Sequence, residues 1–164
     1  AVAMALLEEA CRREGIDPDK LEVPERPSIA EEGLQAEATS WMLLSRRWLE
    51  QTAEREGLEE AQAIVGWYHT LVPGKLHRAV EQAAISDSPA AARDAVGSAK
   101  VAWLGVARTV QVLMEGAEQG LDTLSIALAL RGHALMEAID QEFPEHRRFV
   151  RPGFDEDAGV PGES

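Results

Sequence analysis

Apolar residues recur at helical spacing along most of this chain, and they are densest between Pro89 and Gly120. On a wheel of about 100° per residue, one face of that stretch carries Ala92, Ala95, Val96, Ala99, Trp103, Val106, Val110, Leu113 and Met114. An adjacent face carries Ala91, Ser98, Ala102, Gly105, Thr109 and Gly116, nearly all small, with Val101 and Val112 at its margin. Only Arg93, Gly97, Lys100, Arg108, Gln111 and Glu115 are left for water, with Leu104 among them. So thin a polar arc predicts a central helix, or one that also serves a subunit interface.

Three further long helices follow from the same pattern. Between Ile29 and Glu56, Leu34, Ala38, Trp41, Ser45, Trp48 and Thr52 form a heptad-like seam, and Ser28 with Glu31 matches a capping box ahead of it. The two indoles need room opposite them, so Trp41 and Trp48 are expected to pack on the small residues Ser98, Ala102, Gly105 and Thr109. From Leu58 to Ser86 the face is Ala61, Ile64, Val65, Tyr68, Leu71, Val72, Leu76 and Ala79. Pro73 interrupts that pattern, and because the face resumes in phase at Leu76 a kink is expected rather than a break. Ser88 and Pro89 supply a cap and a first helical residue for the central helix. The last helix is read from Leu121 to Phe143, with Pro144 as its stop.

Gly57, the turn at 86–89 and Gly120 leave only short connections, and short connections make sequential helices antiparallel. The predicted fold is therefore all-α, an up-down-up-down four-helix bundle over 29–143. A short N-terminal helix covers 1–15 and a Pro-rich linker 16–28. The C-terminal tail, 144–164, is irregular and partly disordered, running from a basic cluster (His146, Arg147, Arg148, Arg151) into acidic residues. Docking of that cluster against the acidic body is expected over a contact with nucleic acid.

Composition narrows the class without naming a reaction. The 164 residues suffice for one core, and 45% hydrophobic with 27% charged residues describes a globular chain. No apolar run reaches the roughly 18 residues of a membrane span. The formal net charge of −13 repels phosphate backbones and anionic membranes at long range. Cys11 is the single cysteine and no cleavable leader is evident, so a reducing cytoplasm is the expected setting. Asn is absent, and Arg outnumbers Lys by 13 to 3, which fits a high-GC genome or selection against labile amides.

Candidate chemistry is sparse. Glu115, Glu118, Glu137 and Asp140 form ExxE, a gap and ExxD. This resembles the magnesium motif of the all-α nucleotide pyrophosphohydrolases, and the resemblance implies paired carboxylates holding Mg²⁺ on substrate phosphates. With a turn at Gly120, however, Glu118 lies beside the turn and Glu137 roughly 25 Å along the axis. No histidine has a glutamate three residues before it, as a bundle di-iron site requires. His77 with Glu81 and His133 with Glu137 read as exposed helix-stabilising pairs. Cys11 has no histidine near it in sequence, and neither a nucleophile elbow nor a glycine-rich phosphate loop is present.

Three polar residues fall on or beside apolar arcs. Arg131 lies among Leu124, Leu128, Leu135 and Ala138, Lys75 does the same on its own helix, and His69 sits at the core boundary. A buried arginine needs an acid or an anionic ligand. The leading expectation is a non-catalytic cytoplasmic bundle without cofactor or metal, acting through self-association or contact with another protein. Its motive is the two apolar faces of the 89–118 stretch, with Leu43, Trp67 and Leu104 expected to be exposed. The alternative is a mid-bundle pocket for a small anion or cofactor near Tyr68, His69, Lys75 and Arg131. Metal-dependent phosphohydrolysis is a third reading.

Overall fold

The computed structural model describes residues 2–15, 17, 33–85, 87–116 and 122–149. These are mostly helical, with no strand among them. The elements are α1 (Val2–Glu14), α2 (Leu34–Thr52), α3 (Glu59–Ala83), α4 (Pro89–Glu115), α5 (Thr123–Glu142) and a 3-10 turn (Pro144–Arg148). Each of the four long helices packs on two others, in the cyclic order α2, α3, α4, α5 and back to α2, and α1 lies against α4 and α5. The interior is aliphatic apart from two indoles, with Leu44, Val65, Val72, Leu76, Val106, Ile126, Leu128, Leu135 and Ile139 fully buried around Trp41 and Trp48.

The helices are shorter than the periodicity predicts, and their ends show why. Gly33, at φ 82, leads into α2, a left-handed conformation that glycine adopts without strain. The expected cap Ser28 lies outside the described residues. At the other end α2 stops at Thr52, not Glu56, where the Thr52 carbonyl finds partners outside the helix. Arg55 N–H and the Gln62 side-chain amide both donate to Thr52 O, at 2.9 Å and 2.5 Å. Gly57, at φ 84, then turns the chain into α3. The last helix begins at Thr123, capped by Asp122, whose Oδ1 accepts from Ser125 N at 2.7 Å. Ser88 caps α4 as expected, accepting from Ala91 N at 3.1 Å with Pro89 in the first turn.

Pro73 lies inside one continuous helix, although an interior proline removes a backbone bond at a cost of about 3 kcal/mol. Val72 and Leu76 on either side are fully buried, and burial of such side chains contributes about 1.5–3 kcal/mol each. That packing outweighs the lost bond and holds the two halves in register.

The indoles are not what covers Gly105 on the small face of α4. Gly105 is covered by α3, where a Cβ would stand 2.7 Å from Tyr68 Cδ1 and 2.9 Å from Val72 Cγ2. Trp41 and Trp48 pack instead toward α5, where the room is made by Gly132 and Ser125. Trp41 Nε1 lies 3.6 Å from the point a Cβ of Gly132 would occupy, and Trp48 Nε1 donates to Ser125 Oγ at 2.8 Å. At Gly105 the pattern identified a close approach correctly but assigned it the wrong neighbour, because α2 packs mainly on α3 and α5.

Candidate functional site

The outer seam of α3 and α4 is the surface that the core leaves unfinished. Arg78 Nε donates to Asp94 Oδ2 at 2.8 Å near one end of the seam, and Arg108 Nη2 lies 3.5 Å from Glu60 Oε1 near the other. Gly105 meets Tyr68 and Val72 between them. The contacts thus climb α3 as they descend α4. Glu60, Ile64, Trp67, Leu71 and Arg78 fall on one stripe of α3, and Asp94, Val101, Leu104 and Arg108 on one stripe of α4, by helical spacing. Within those stripes Trp67 is 67% exposed, Leu104 50% and Val101 40%. Leucine and valine singly on a surface are ordinary, but an exposed tryptophan with Leu104 at matching height and Val101 about one turn away is not. Leu43, expected to be exposed, is half-buried.

The residues of the suggested mid-bundle pocket occupy two different seams. Tyr68 packs on Gly105 between α3 and α4, and His69 Nδ1 bonds its own helix at Gly66 O, 2.7 Å away. Lys75 is half-buried on α3. Arg131 lies between α5 and α2, with Nη1 3.3 Å from Glu37 Oε2 and only 15% of its side chain exposed. In the cyclic order of helices these two seams lie on opposite sides. Glu37 also answers the charge of Arg131, so the arginine requires no anion from outside.

A second constellation closes the C-terminal end. His146 is 2% exposed, with Nε2 2.6 Å from Asp140 Oδ1, and its ring centroid is 5.6 Å from that of Trp103. Arg147 donates to both oxygens of the same carboxylate, at 3.1 Å and 2.6 Å. Burial would raise the Asp140 pKa, but the hydrogen bonds from Arg147 and His146 outweigh it and hold the carboxyl below its usual range. Lys100 Nζ donates to Phe149 O at 2.6 Å, and the Phe149 ring lies over Gly97, close enough that a Cβ there would stand 2.9 Å from Cζ. His146 and Arg147 therefore dock on their own chain, while Arg151 of the basic cluster lies outside the described residues. Among the described residues, the hydrogen bonds of this constellation join a histidine, an arginine and a carboxylate and include no hydroxyl or thiol.

Other polar groups give no catalytic geometry. Of the four carboxylates in the magnesium resemblance, Asp140 is occupied by His146 and Arg147, Glu115 accepts from Gln111 at 3.0 Å, and Glu118 lies outside the described residues. Among the described residues no three His, Cys, Asp or Glu side chains converge on a possible metal position. Burial lowers the His133 pKa, an effect that nearby Glu137 only partly opposes. His133 Nε2, Trp41 Nε1 and Trp103 Nε1 are buried without a hydrogen-bond partner. Cys11 is buried, which raises its thiol pKa and disfavours the reactive thiolate. A shallow open groove at the α2–α5 end is lined by Arg47, Gln51, Asp122, Thr123, Leu124 and Ala127. Its one acid, Asp122, already accepts from Ser125 and Arg55.

Comparison of the chain with protein-family models, with curated proteins and with solved structures finds no match. No helix of the described residues is long and apolar enough to cross a membrane.

Sequence reasoning singled out Trp67 and Leu104 but missed the cross-helix ion pairs that bracket them. It also missed Asp122 as a cap, although an aspartate just before an apolar helix is the common signal for one. His146 was read as part of a charged cluster. A histidine next to an arginine carries no local sign that one will be buried and the other exposed.

Proposed function

We infer that this protein is a non-catalytic cytoplasmic helical bundle, up-down-up-down over its four long helices, whose function is protein–protein association. Short connections and the cyclic packing of α2 to α5 support the bundle topology. The observation that carries the functional reading is the exposure of Trp67 (67%) beside Leu104 and Val101 on the α3–α4 seam. Tryptophan in an exposed apolar stripe bracketed by charged residues is the composition that protein interfaces favour at their energetic centre.

An enzymatic reading finds less support. The carboxylate, histidine and thiol groups among the described residues are committed to internal partners, buried, or scattered over the surface. A pocket for a small anion was motivated by Arg131, and Glu37 removes that motive.

The test is a photo-activated cross-linking residue placed at position 67 in the cells that make the protein, with Glu50 on α2 as the exposed control position. Position 67 should give a discrete covalent adduct and position 50 should not. Equal yields at both positions, or none at either, would refute association through this face.

A further inference from the structure

We propose that the partner on the α3–α4 seam is a second copy of this chain, related by a two-fold axis lying in the plane of the face. This rests on the association reading above and adds the identity of the partner.

Charge is placed alternately around the apolar stripe. Glu60 and Arg78 lie on α3, about 27 Å apart at 1.5 Å per residue, and Asp94 and Arg108 on α4, about 21 Å apart. Arg108 stands beside Glu60 at one end, and Arg78 beside Asp94 at the other. The four therefore mark the corners of a rectangle in which every corner differs in sign from both of its neighbours. The exposed apolar residues Trp67, Val101 and Leu104 lie between the corner pairs.

Such a rectangle is complementary to itself. A two-fold axis in its plane and perpendicular to the helices sets Glu60 over the partner copy's residue 78 position and Arg108 over its 94 position. An in-plane axis parallel to the helices sets Glu60 over position 108 and Arg78 over position 94. Either rotation places each anion on a cation, while the two apolar centres coincide, as an isologous contact demands. All four side chains are at least 37% exposed and available for it.

Net charge makes the point sharper. Two copies, each at −13, repel one another over most of their surfaces. The four corners sum to zero, and with Glu115 4.0 Å from Arg108 at one end this face still carries far less of that repulsion than the rest of the surface. Two helices lying about 10 Å apart over this length present a flat area on the order of 500 Å² before side-chain relief. Stable interfaces bury about 800 Å² per partner, so this face stands at the small, reversible end of that range.

The charge rectangle gives the test. One variant carries E60R and D94R, making all four corners cationic; a second carries R78E and R108E, making all four anionic. Circular dichroism checks that both remain helical. By sedimentation the native chain should dimerise at tens of micromolar, each variant alone should be monomeric, and an equimolar mixture should recover a heterodimer. A third variant, W67E, should weaken self-association at least tenfold with every corner intact. A native chain that stays monomeric overturns the proposal, as does a mixture no more associated than its components. The two readings fail separately. If position 67 cross-links in cells to a different protein while the purified chain is monomeric, the face stands and the second copy falls. Absence of any adduct removes both.

Discussion

Gly132→Ala adds one methyl group where α5 approaches Val106 and Val110 of α4 and Trp41 of α2. The new Cβ would stand 2.7 Å from Val110 Cγ2 and 3.4 Å from Val106 Cγ1. Carbon atoms rest about 3.5–4.0 Å apart, so the nearer contact is short by about 1 Å. Both valines are buried on α4 and β-branched, which leaves each essentially one helical rotamer. Relief therefore requires the helices to part, and overpacking of this kind costs about 1–3 kcal/mol. Against it stands the gain of about 1 kcal/mol from replacing an interior helical glycine by alanine. The expected net loss is about 1 kcal/mol, or a fall in Tm of about 3 °C for a chain of this size. Gly66→Ala is the matched control, because nothing lies within 4 Å of its added Cβ. That variant keeps the propensity gain and should be about 1 kcal/mol more stable than the native protein. Urea denaturation followed by tryptophan fluorescence measures both, with Trp41 beside Gly132 as the local reporter. If Gly132→Ala is as stable as Gly66→Ala, the helices part without cost and the account of this contact is wrong.

Other consequences can be checked alongside. Trp41 and Trp48 are almost equally buried, but only Trp48 has a hydrogen bond, to Ser125; Trp48→Phe should therefore cost about 1 kcal/mol more than Trp41→Phe in the same denaturation assay. The Asp140 carboxyl is held below its usual range, so it stabilises the docked C-terminal turn above about pH 4 and loses that effect as pH falls through its lowered value. Hydrogen exchange at 144–149 should accelerate in acid, and Asp140→Asn should show the same acceleration at pH 7. Burial lowers the His133 pKa, so the unfolded chain binds more protons there as pH drops through about 6.5 and stability must fall. The difference in Tm between pH 7.5 and 5.5 should shrink in His133→Gln, and an unchanged difference would count against burial as the cause. Glu37→Gln leaves Arg131, at 15% side-chain exposure, without its carboxylate and should cost about 1–3 kcal/mol by the same denaturation assay.

Local pattern determined a definite part of this protein. The helical class, the two apolar faces of α4, the Ser88–Pro89 start and the exposure of Trp67 and Leu104 all follow from residue spacing, because each depends on a helix period or on a cap within a few residues. Tertiary structure decided which surfaces meet. Small residues occur on α4 at Gly105 and on α5 at Gly132, and each marks a close approach, but spacing on one helix does not say which neighbour approaches it. The cyclic order gave Gly105 to Tyr68 and Val72 of α3, and Gly132 to Val110 and Val106 of α4 with Trp41 beside them. Arg131 looked like a charge in search of a ligand until α2 brought Glu37 from 94 positions away along the chain. His146 is buried and Arg147 exposed, although they are adjacent, because a 3-10 turn on α4 and α5 points one toward Trp103 and the other outward. The charge rectangle on the outer seam is of the same kind: each helix contributes one anion and one cation, and only antiparallel packing alternates them.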